Sequence, residues 1–293
     1  MDTEHWKILL TAIEKGSLCA AGEALDYTVS GVSRSVAALE KEIGFPLLYR
    51  SKQGVVPTPA CQQLLPMVRE LLFTQEKIEQ TAARILGYEQ GTIGIGTAYR
   101  RYYPWITAVT SRFHALHPGV QFHIVNGTST GLMQQMEHHA LDFCIISARE
   151  GRHGWLPLCH DPLLAVVPAK HPLASRKSVP LEELLPEPYI QTCPGQDIDS
   201  IRFFAHRGVR PNMQFSTMDI QATYAMVGAG LGYAVSNRIN SNFGDTAVRH
   251  LPIDPPEIIE IGLAYRRQSA PAADAFLKFV KGQLPCGEET AHE

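Results

Sequence analysis

The apolar positions between residues 27 and 44 predict a helix with an unusual polar face. One side carries apolar side chains at helical spacing: Val32, Val36, Leu39 and Ile43. The other side is short and rich in donors: Ser30, Ser33, Arg34 and Lys41. Small side chains let a helix approach another surface closely, and hydroxyl and guanidinium groups bind base edges and phosphates. This face suits DNA, and an ordinary solvated face that happens to hold serines is the alternative.

Two shorter helices are predicted upstream of this one. Apolar residues at helical spacing, among them Trp6 and Leu9, predict a helix over residues 3–15 that ends at Gly16. Ser17 is the predicted N-cap of the second helix, and Thr28 that of the third after the turn DYT. Three short helices with a tight turn between the second and third predict a helix-turn-helix.

The segment after Gly44, FPLLYRSKQGVVPTPA, predicts a wing. Leu47 and Leu48 can pack inward, while Arg50 and Lys52 lie near a turn between two short extended pieces. We expect these cations to contact phosphate.

An apolar heptad begins at Leu64. Its members recur with steps of four and three residues: Leu64, Val68, Leu71, Gln75, Ile78, Ala82 and Ile85. We expect the first five to form a dimer interface, and a helix that lies on its own domain is the alternative.

The charge of the N-terminal domain also favours a dimer. Residues 1–60 hold six Lys/Arg and seven Asp/Glu, so one domain should bind DNA weakly and a dimer would compensate by avidity.

Beyond about Gly91, predicted strands alternate with predicted helices. The strands are expected at residues 92–96, 120–125, 142–146, 163–167, 189–190, 233–235 and 258–265. The helices are expected at residues 102–117, 128–139, from 198, from 219, and at 272–284, with Leu116 inward in the first of them. This alternation predicts a parallel α/β architecture that binds ligands at the carboxyl ends of its strands.

Length and composition indicate a folded protein of two or three domains. The 293 residues are 45% hydrophobic and 19% charged, and the net charge of −3 means that a DNA-binding surface must be local. No apolar run reaches the length of a membrane span, and the start MDTEHWKILL lacks the regions of a signal peptide. We therefore expect a cytoplasmic protein that does not contact the membrane.

We expect no metal site, no cofactor and no enzymatic activity. The histidine pairs at 114/117 and 138/139 have no acidic or thiol partner at ligand spacing, and the six cysteines contain no CxxC. GAGLG at 228–232 follows a helix and precedes a strand, the reverse of a dinucleotide fingerprint. Cys193 is the one candidate for a redox thiol, and a packing or lining thiol is the alternative.

The N-terminal run closely resembles the LysR-type transcriptional regulators. The matching features are Ala20-Ala21, Leu25, Val32-Ser33-Arg34, Leu39-Glu40, Gly44, Pro46-Leu47, Arg50 and Thr58-Pro59. Val29 replaces a usual glutamine at the start of the recognition helix, Leu48 a phenylalanine and Cys61 a glycine. Because the glutamine is a common base-contacting group, we expect the operator to differ from the usual family site.

The resemblance implies an α/β protein with an N-terminal all-α winged helix-turn-helix and a two-subdomain effector domain similar to periplasmic binding proteins. The implied ranges are 1–60 for the winged helix-turn-helix, 61–88 for the dimerising linker helix, 91–161 plus 267–285 for the first subdomain, 162–266 for the second, and 286–293 for a flexible tail. The chain would cross between subdomains near residues 160–162 and 265–268.

The candidate DNA-binding residues lie on the recognition helix and the wing. Those expected in the major groove are Thr28, Ser30, Ser33 and Arg34, and those expected on phosphates are Arg50 and Lys52. The expected partner is an inverted-repeat operator in double-stranded DNA, bound by a dimer or a tetramer.

The candidate effector site uses predicted helix N-termini that follow strands, because their N–H groups suit carboxylates. TAYRRYYP, about three residues shorter than the usual family connection, adds two arginines that can bind a carboxylate and tyrosines that can wall a planar ligand. The expected lining is Thr97, Tyr99, Arg100, Thr128, Ser129 and Thr192. Arg100 is preferred only weakly over Arg101, and solvated surface arginines are the alternative.

Together these features predict a transcriptional regulator whose DNA binding or bending responds to a small, anionic effector. The alternatives are an effector-independent repressor, a solute-binding protein and, third, an enzyme of doubly wound fold. The helix-turn-helix and the missing signal peptide favour the regulator over the solute-binding protein.

Overall fold

The computed structural model describes residues 2–86, 90–241 and 245–284. Its contacts divide the chain into two compact units, Met1–Tyr88 and Glu89–Glu293. The tail expected at 286–293 lies outside the described residues. Within the described part, no helix is both long and apolar enough to span a bilayer.

The first unit contains the three predicted helices, the wing and one long helix. Its elements are α1 (Thr3–Lys15), α2 (Leu18–Leu25), α3 (Val29–Ile43), β1 (Leu48–Ser51), β2 (Gly54–Pro57) and α4 (Pro59–Ile85). The predicted caps are confirmed, because the hydroxyls of Ser17 and Thr28 accept hydrogen bonds from first-turn N–H groups. Gly16 ends α1 in the left-handed region, at φ 63°.

A close backbone approach sets the turn between α2 and α3. The N–H of Tyr27 donates to the carbonyl of Gly22 at 2.9 Å. A Cβ at position 22 would lie 2.6 Å from the Tyr27 carbonyl oxygen, so a larger residue would push the turn apart. The three helices and the wing enclose one apolar core, whose members include Trp6, Leu9, Val32, Val36, Leu39, Leu47 and Val55.

Helix α4 divides its apolar positions between two surroundings. Val68 is buried in the core of the first unit and Leu64 packs against that core. Leu71 and Ile78 are exposed in the chain, 43% and 64% respectively. At the N-terminal end of the predicted dimer stripe, Leu64 and Val68 thus pack on their own domain, and the dimer interface itself stays a prediction.

The second unit is a mixed α/β structure. Its strands are β3 (Gly91–Thr97), β4 (Val120–Asn126), β5 (Phe143–Ser147), β6 (His153–Pro168), β7 (Val179–Pro180), β8 (Pro188–Thr192), β9 (Asn212–Thr217), β10 (Ala234–Asn237), β11 (Val248–Asp254) and β12 (Ile258–Arg266). Its α-helices are α5 (Tyr103–Leu116), α6 (Ser129–Glu137), α7 (Leu181–Leu184), α8 (Asp199–His206), α9 (Ile220–Gly228) and α10 (Pro271–Lys281). Short 3-10 turns occupy Arg100–Tyr102, Pro172–Ser175 and Arg238–Asn240.

The main sheet has the strand order β4-β3-β5-β12-β6-β11-β7, and β10 also pairs with β6. β3 is parallel to β4 and β5, and β8 is parallel to β9 in a separate pair. β6 and β12, however, are antiparallel to each other, and β10 and β11 are antiparallel to β6. The predicted all-parallel arrangement is therefore wrong for the centre of the sheet.

Two subdomains build on this sheet, with β6 running through both. The first contains β3, β4, β5, β12, α5, α6 and α10, and the second contains β7–β11 and α7–α9. β12 was expected to end the second subdomain, but it pairs with β5 and buries Ile261 and Leu263 in the first core. The return crossing thus precedes Ile258. Leu116, expected inward, is 66% exposed at the end of α5.

Candidate DNA-binding surface and effector cleft

The recognition helix α3 presents a short polar surface. Thr28 caps the helix, since its Oγ1 accepts the Gly31 N–H at 3.1 Å and lies 3.1 Å from Ser30 Oγ. Ser30 and Arg34 are exposed, and Arg34 Nε donates to the Ser30 carbonyl at 3.3 Å. The donors predicted for the major groove are therefore accessible within this unit, and Thr28 also has a structural role.

The two candidate phosphate contacts, Arg50 and Lys52, differ in their surroundings. Arg50 Nη1 donates to Ser33 Oγ at 3.1 Å, and its Nη2 lies 3.5 Å from Glu40 Oε2. Glu40 in turn accepts the N–H groups that begin the wing. Lys52 is exposed and has no hydrogen bond or ion pair with any described residue. Arg50 thus joins the wing to α3, while Lys52 is available to a phosphate.

A cavity of about 380 Å³ opens between the two subdomains of the second unit. Of the six residues predicted to line it, five do so: Tyr99, Arg100, Thr128, Ser129 and Thr192. The exception is Thr97, which is fully buried and bonds to the backbone of Tyr99 through its Oγ1, at 3.0 and 3.1 Å. Thr97 therefore shapes the turn that carries Tyr99.

Two of the lining hydroxyls also hold local structure. Thr128 Oγ1 accepts the N–H of Gly131 at 3.3 Å, which caps α6. Thr192 Oγ1 lies 2.7 Å from Thr223 Oγ1, which links the end of β8 to α9. These bonds fix both side chains at the edge of the cavity.

The adjacent arginines at the cavity have different partners. Arg100 Nη2 lies 3.5 Å from Asp219 Oδ2, in an exposed pair across the cleft. Asp219 Oδ1 meanwhile caps α9 through the N–H groups of residues 221 and 222. Arg101 lines the cavity, is exposed, and has no ion pair or hydrogen bond within the described residues. Its guanidinium is therefore the more available of the two.

Asp199, which the sequence did not single out, is the buried acid of the cleft. It begins α8, and only 7% of its surface is exposed. Its Oδ1 accepts from Ser147 Oγ at 2.5 Å and from Arg149 Nη2 at 3.3 Å. Its Oδ2 accepts from the Tyr99 hydroxyl at 2.8 Å and from Asn237 Nδ2 at 3.1 Å. Burial, together with the charge of Asp199, raises the pKa of Tyr99 well above its usual value, so Tyr99 stays protonated and donates.

Metal and thiol chemistry find little support in this unit. No group of three or more His, Cys, Asp and Glu side chains could hold a metal ion in the described part of the chain. Burial and the nearby Asp219 raise the pKa of Cys193, whereas a reactive thiol needs a lowered one. The Cys193 thiol lies 3.6 Å from the carbonyl of Met218, to which it donates.

Both units match one family of regulators. The model described as "Bacterial regulatory helix-turn-helix protein, lysR family" matches residues 3–62, and that described as "LysR substrate binding domain" matches residues 87–285. The chain belongs to the LysR family of transcriptional regulators. The helix-turn-helix is thus a DNA-binding domain, and the cleft lies in the domain that the family model describes as substrate binding.

Relatives of this LysR-type regulator cover nearly its whole length. The HTH-type transcriptional regulator YvbU of Bacillus subtilis is 28% identical over 96% of this chain and 98% of its own. IlvR of Caulobacter vibrioides, also an HTH-type transcriptional regulator, is 28% identical over 96% and 97%. Full-length OxyR (C199D) from Pseudomonas aeruginosa shares the fold, with a TM-score of 0.71 at 18% identity over 98% and 96% of the two chains.

Proposed function

We propose that this LysR-type regulator binds an inverted-repeat operator as a dimer, and that a small anion in the cleft modulates its binding or bending of DNA. The observation that carries the effector proposal is the 380 Å³ cavity, whose lining includes the first turn of α6 and Arg101, which has no partner among the described residues. A cavity of this size is within the usual range for small-molecule sites.

Two acids, Asp199 and Asp219, also line the cavity, but Arg149 and Arg100 accompany them, so the remaining positive groups favour an anion. The first N–H groups of a helix have no partner inside the helix, and the helix dipole makes that end positive. Thr128 and Ser129 bring this end of α6 to the cavity, and Arg101 adds a full positive charge. A guanidinium can bind a carboxylate through two hydrogen bonds. Arg101, rather than Arg100, is the proposed partner because Asp219 already accompanies Arg100.

The DNA-binding proposal rests on the exposed donors of the first unit. Ser30 and Arg34 offer hydrogen bonds to base edges, and Lys52 offers a charge to phosphate. Ser33 and Arg50 bond to each other, so their proposed role is to set the distance between α3 and the wing.

A ligand screen tests the effector proposal. Small carboxylates would be added to the full chain, to Arg101→Ala and to the matched neighbour Arg100→Ala, and the melting temperature measured. We expect a carboxylate that stabilises the wild type to lose about 10- to 150-fold in affinity in Arg101→Ala, the worth of a charge-assisted bond, and less in Arg100→Ala. Operator affinity without ligand should be the same in all three. A neutral or cationic compound that stabilises all three proteins equally would refute the proposal that the effector is an anion.

A further inference from the structure

Three of the carboxylates that join the two subdomains come from the same side of the cleft. The second subdomain supplies Asp197, Asp199 and Asp219. The first subdomain supplies the donors that meet them: Tyr99, Arg100, Thr130, Ser147 and Arg149. The first subdomain therefore presents an anion-binding edge, and acids of the same chain occupy it in this structure.

Only one of these three acids is buried. The side chains of Asp197 and Asp219 are 44% and 45% exposed, and exposed pairs of this kind add little stability. Asp199 and Arg149, by contrast, form an ion pair whose side chains are only 7% and 8% exposed. Removing one member of such a buried pair leaves the other charge uncompensated, which is strongly destabilising. Asp199 is thus the acid on which the contact between the subdomains chiefly depends.

The hydrogen-bonding capacity of Asp199 is already used. An ionised carboxylate has about four acceptor positions, and four donors bond to Asp199, two at each oxygen. Three of these donors, Tyr99, Ser147 and Arg149, belong to the first subdomain. A ligand in the cavity that sought Asp199 as an acceptor would have to displace one of them.

We propose that Asp199 is a built-in anion that holds the two subdomains closed against each other. An effector would then act at the exposed edge of the cavity, where Arg101 has no partner among the described residues and the Arg100–Asp219 pair is weak. This inference rests on the proposed function in one respect, because it takes the cavity to be the effector site. The closure itself uses only residues of this chain.

Hydrogen exchange of the full chain without ligand tests the closure. Asp199→Asn keeps the size of the side chain but replaces one acceptor oxygen with a donor that faces other donors. We expect exchange at least about tenfold faster in the peptides that carry Tyr99, Ser147 and Asn237, with the inner strands β3 and β12 unchanged. Asp197→Asn, which alters an exposed acid that also crosses the cleft, is the matched control and should stay close to the wild type.

A rescue experiment keeps the test decisive if Asp199→Asn folds poorly. Asp199→Ala leaves a space surrounded by the same four donors, which formate can fill. Formate at millimolar concentrations should restore slow exchange and the melting temperature of Asp199→Ala in a saturable way, while chloride at equal ionic strength should not. Formate should have a much smaller effect on the wild type, in which the Asp199 carboxylate already fills that space.

Two results would overturn the role of Asp199. One is exchange in Asp199→Asn that matches Asp197→Asn, and the other is a response of Asp199→Ala to formate that is no larger than its response to chloride. Either result would leave the effector proposal standing, because that proposal is judged by carboxylate binding to the wild type and to the arginine variants.

Discussion

Arg50 of the wing donates a hydrogen bond to Ser33 of the recognition helix, with 3.1 Å between Nη1 and Oγ. The same guanidinium lies 3.5 Å from Glu40, whose other oxygen accepts the N–H of Leu47. The wing is therefore tied to α3 through side chains as well as through the core. As a result, the residues proposed to contact DNA fall into two groups. Some hold the wing against α3, and the others are exposed and can reach DNA.

Arg34 is the proposed base contact among the exposed residues. Arg34→Ala should weaken specific operator binding by about 1–3 kcal/mol and relax the sequence preference at one position, because a good base contact is worth that much. Competition binding with operator variants would measure both effects. An operator affinity equal to that of the wild type would place the base-contacting face elsewhere on α3.

Lys52 should contribute about equally to the binding of specific and non-specific DNA. Because its ammonium has no partner among the described residues, Lys52→Ala should weaken specific and non-specific binding by similar factors. The slope of log K against log salt should fall by about one. Lys7→Ala, which removes an exposed cation on α1, is the control. A loss confined to the specific operator would contradict a phosphate contact.

The exposed part of the α4 stripe is the proposed dimer interface. Leu71→Asp should place an unpaired carboxylate in that interface at a cost of several kcal/mol, and sedimentation at micromolar protein should then show monomers that bind the operator poorly. Gln62→Asp, on the opposite side of α4 and also exposed, should remain a dimer. A Leu71→Asp dimer as strong as the wild type would move the interface to another surface.

Asp161 should make stability depend on pH. Burial raises the pKa of this carboxyl to about 6 from its usual 3.8, so the folded chain binds more protons than the unfolded chain between these values. The contribution of Asp161 to the free energy of unfolding should therefore be greatest below about pH 4 and fall by roughly 2–3 kcal/mol as the pH rises through 6.

Urea unfolding at several pH values would measure this contribution as the difference between the wild type and Asp161→Asn. The variant should lose that part of the pH dependence and be the more stable protein at pH 7. Asp274→Asn, which changes an exposed acid on α10, serves as the control. If the pH curves of the wild type and Asp161→Asn were parallel, the carboxyl would not titrate in this range.

The features that the sequence predicted are local ones. A hydroxyl residue before an apolar helix, such as Thr28, meets its partner three residues later, so composition and spacing suffice to place the cap. The Asp199 contacts were missed because Tyr99 and Arg149 lie 100 and 50 residues away along the chain. An acid at the start of a helix has an ordinary local explanation, and nothing in its neighbourhood indicates burial.

The apolar periodicity of α4 also could not show which residues pack on their own domain and which remain exposed. Val68 and Leu71 both belong to one heptad, yet Val68 completes the core of its own domain while Leu71 is exposed. A repeat of apolar residues shows only that a face is covered, and it carries no information on what covers it. The antiparallel centre of the sheet was missed for a related reason, because strand direction depends on which strands become neighbours.

The 16-residue strand β6 limits how the effector domain can move. Its residues 153–162 pair with β12, and from Leu163 onward it pairs with β10 and β11. One hydrogen-bonded strand is thus shared by both subdomains, where a flexible linker would have allowed them to swing apart. Wide opening would break ladder bonds, whereas twisting the strand about its length would keep them. We therefore expect effector binding to produce a small rotation of one subdomain against the other, by a change in the twist of β6.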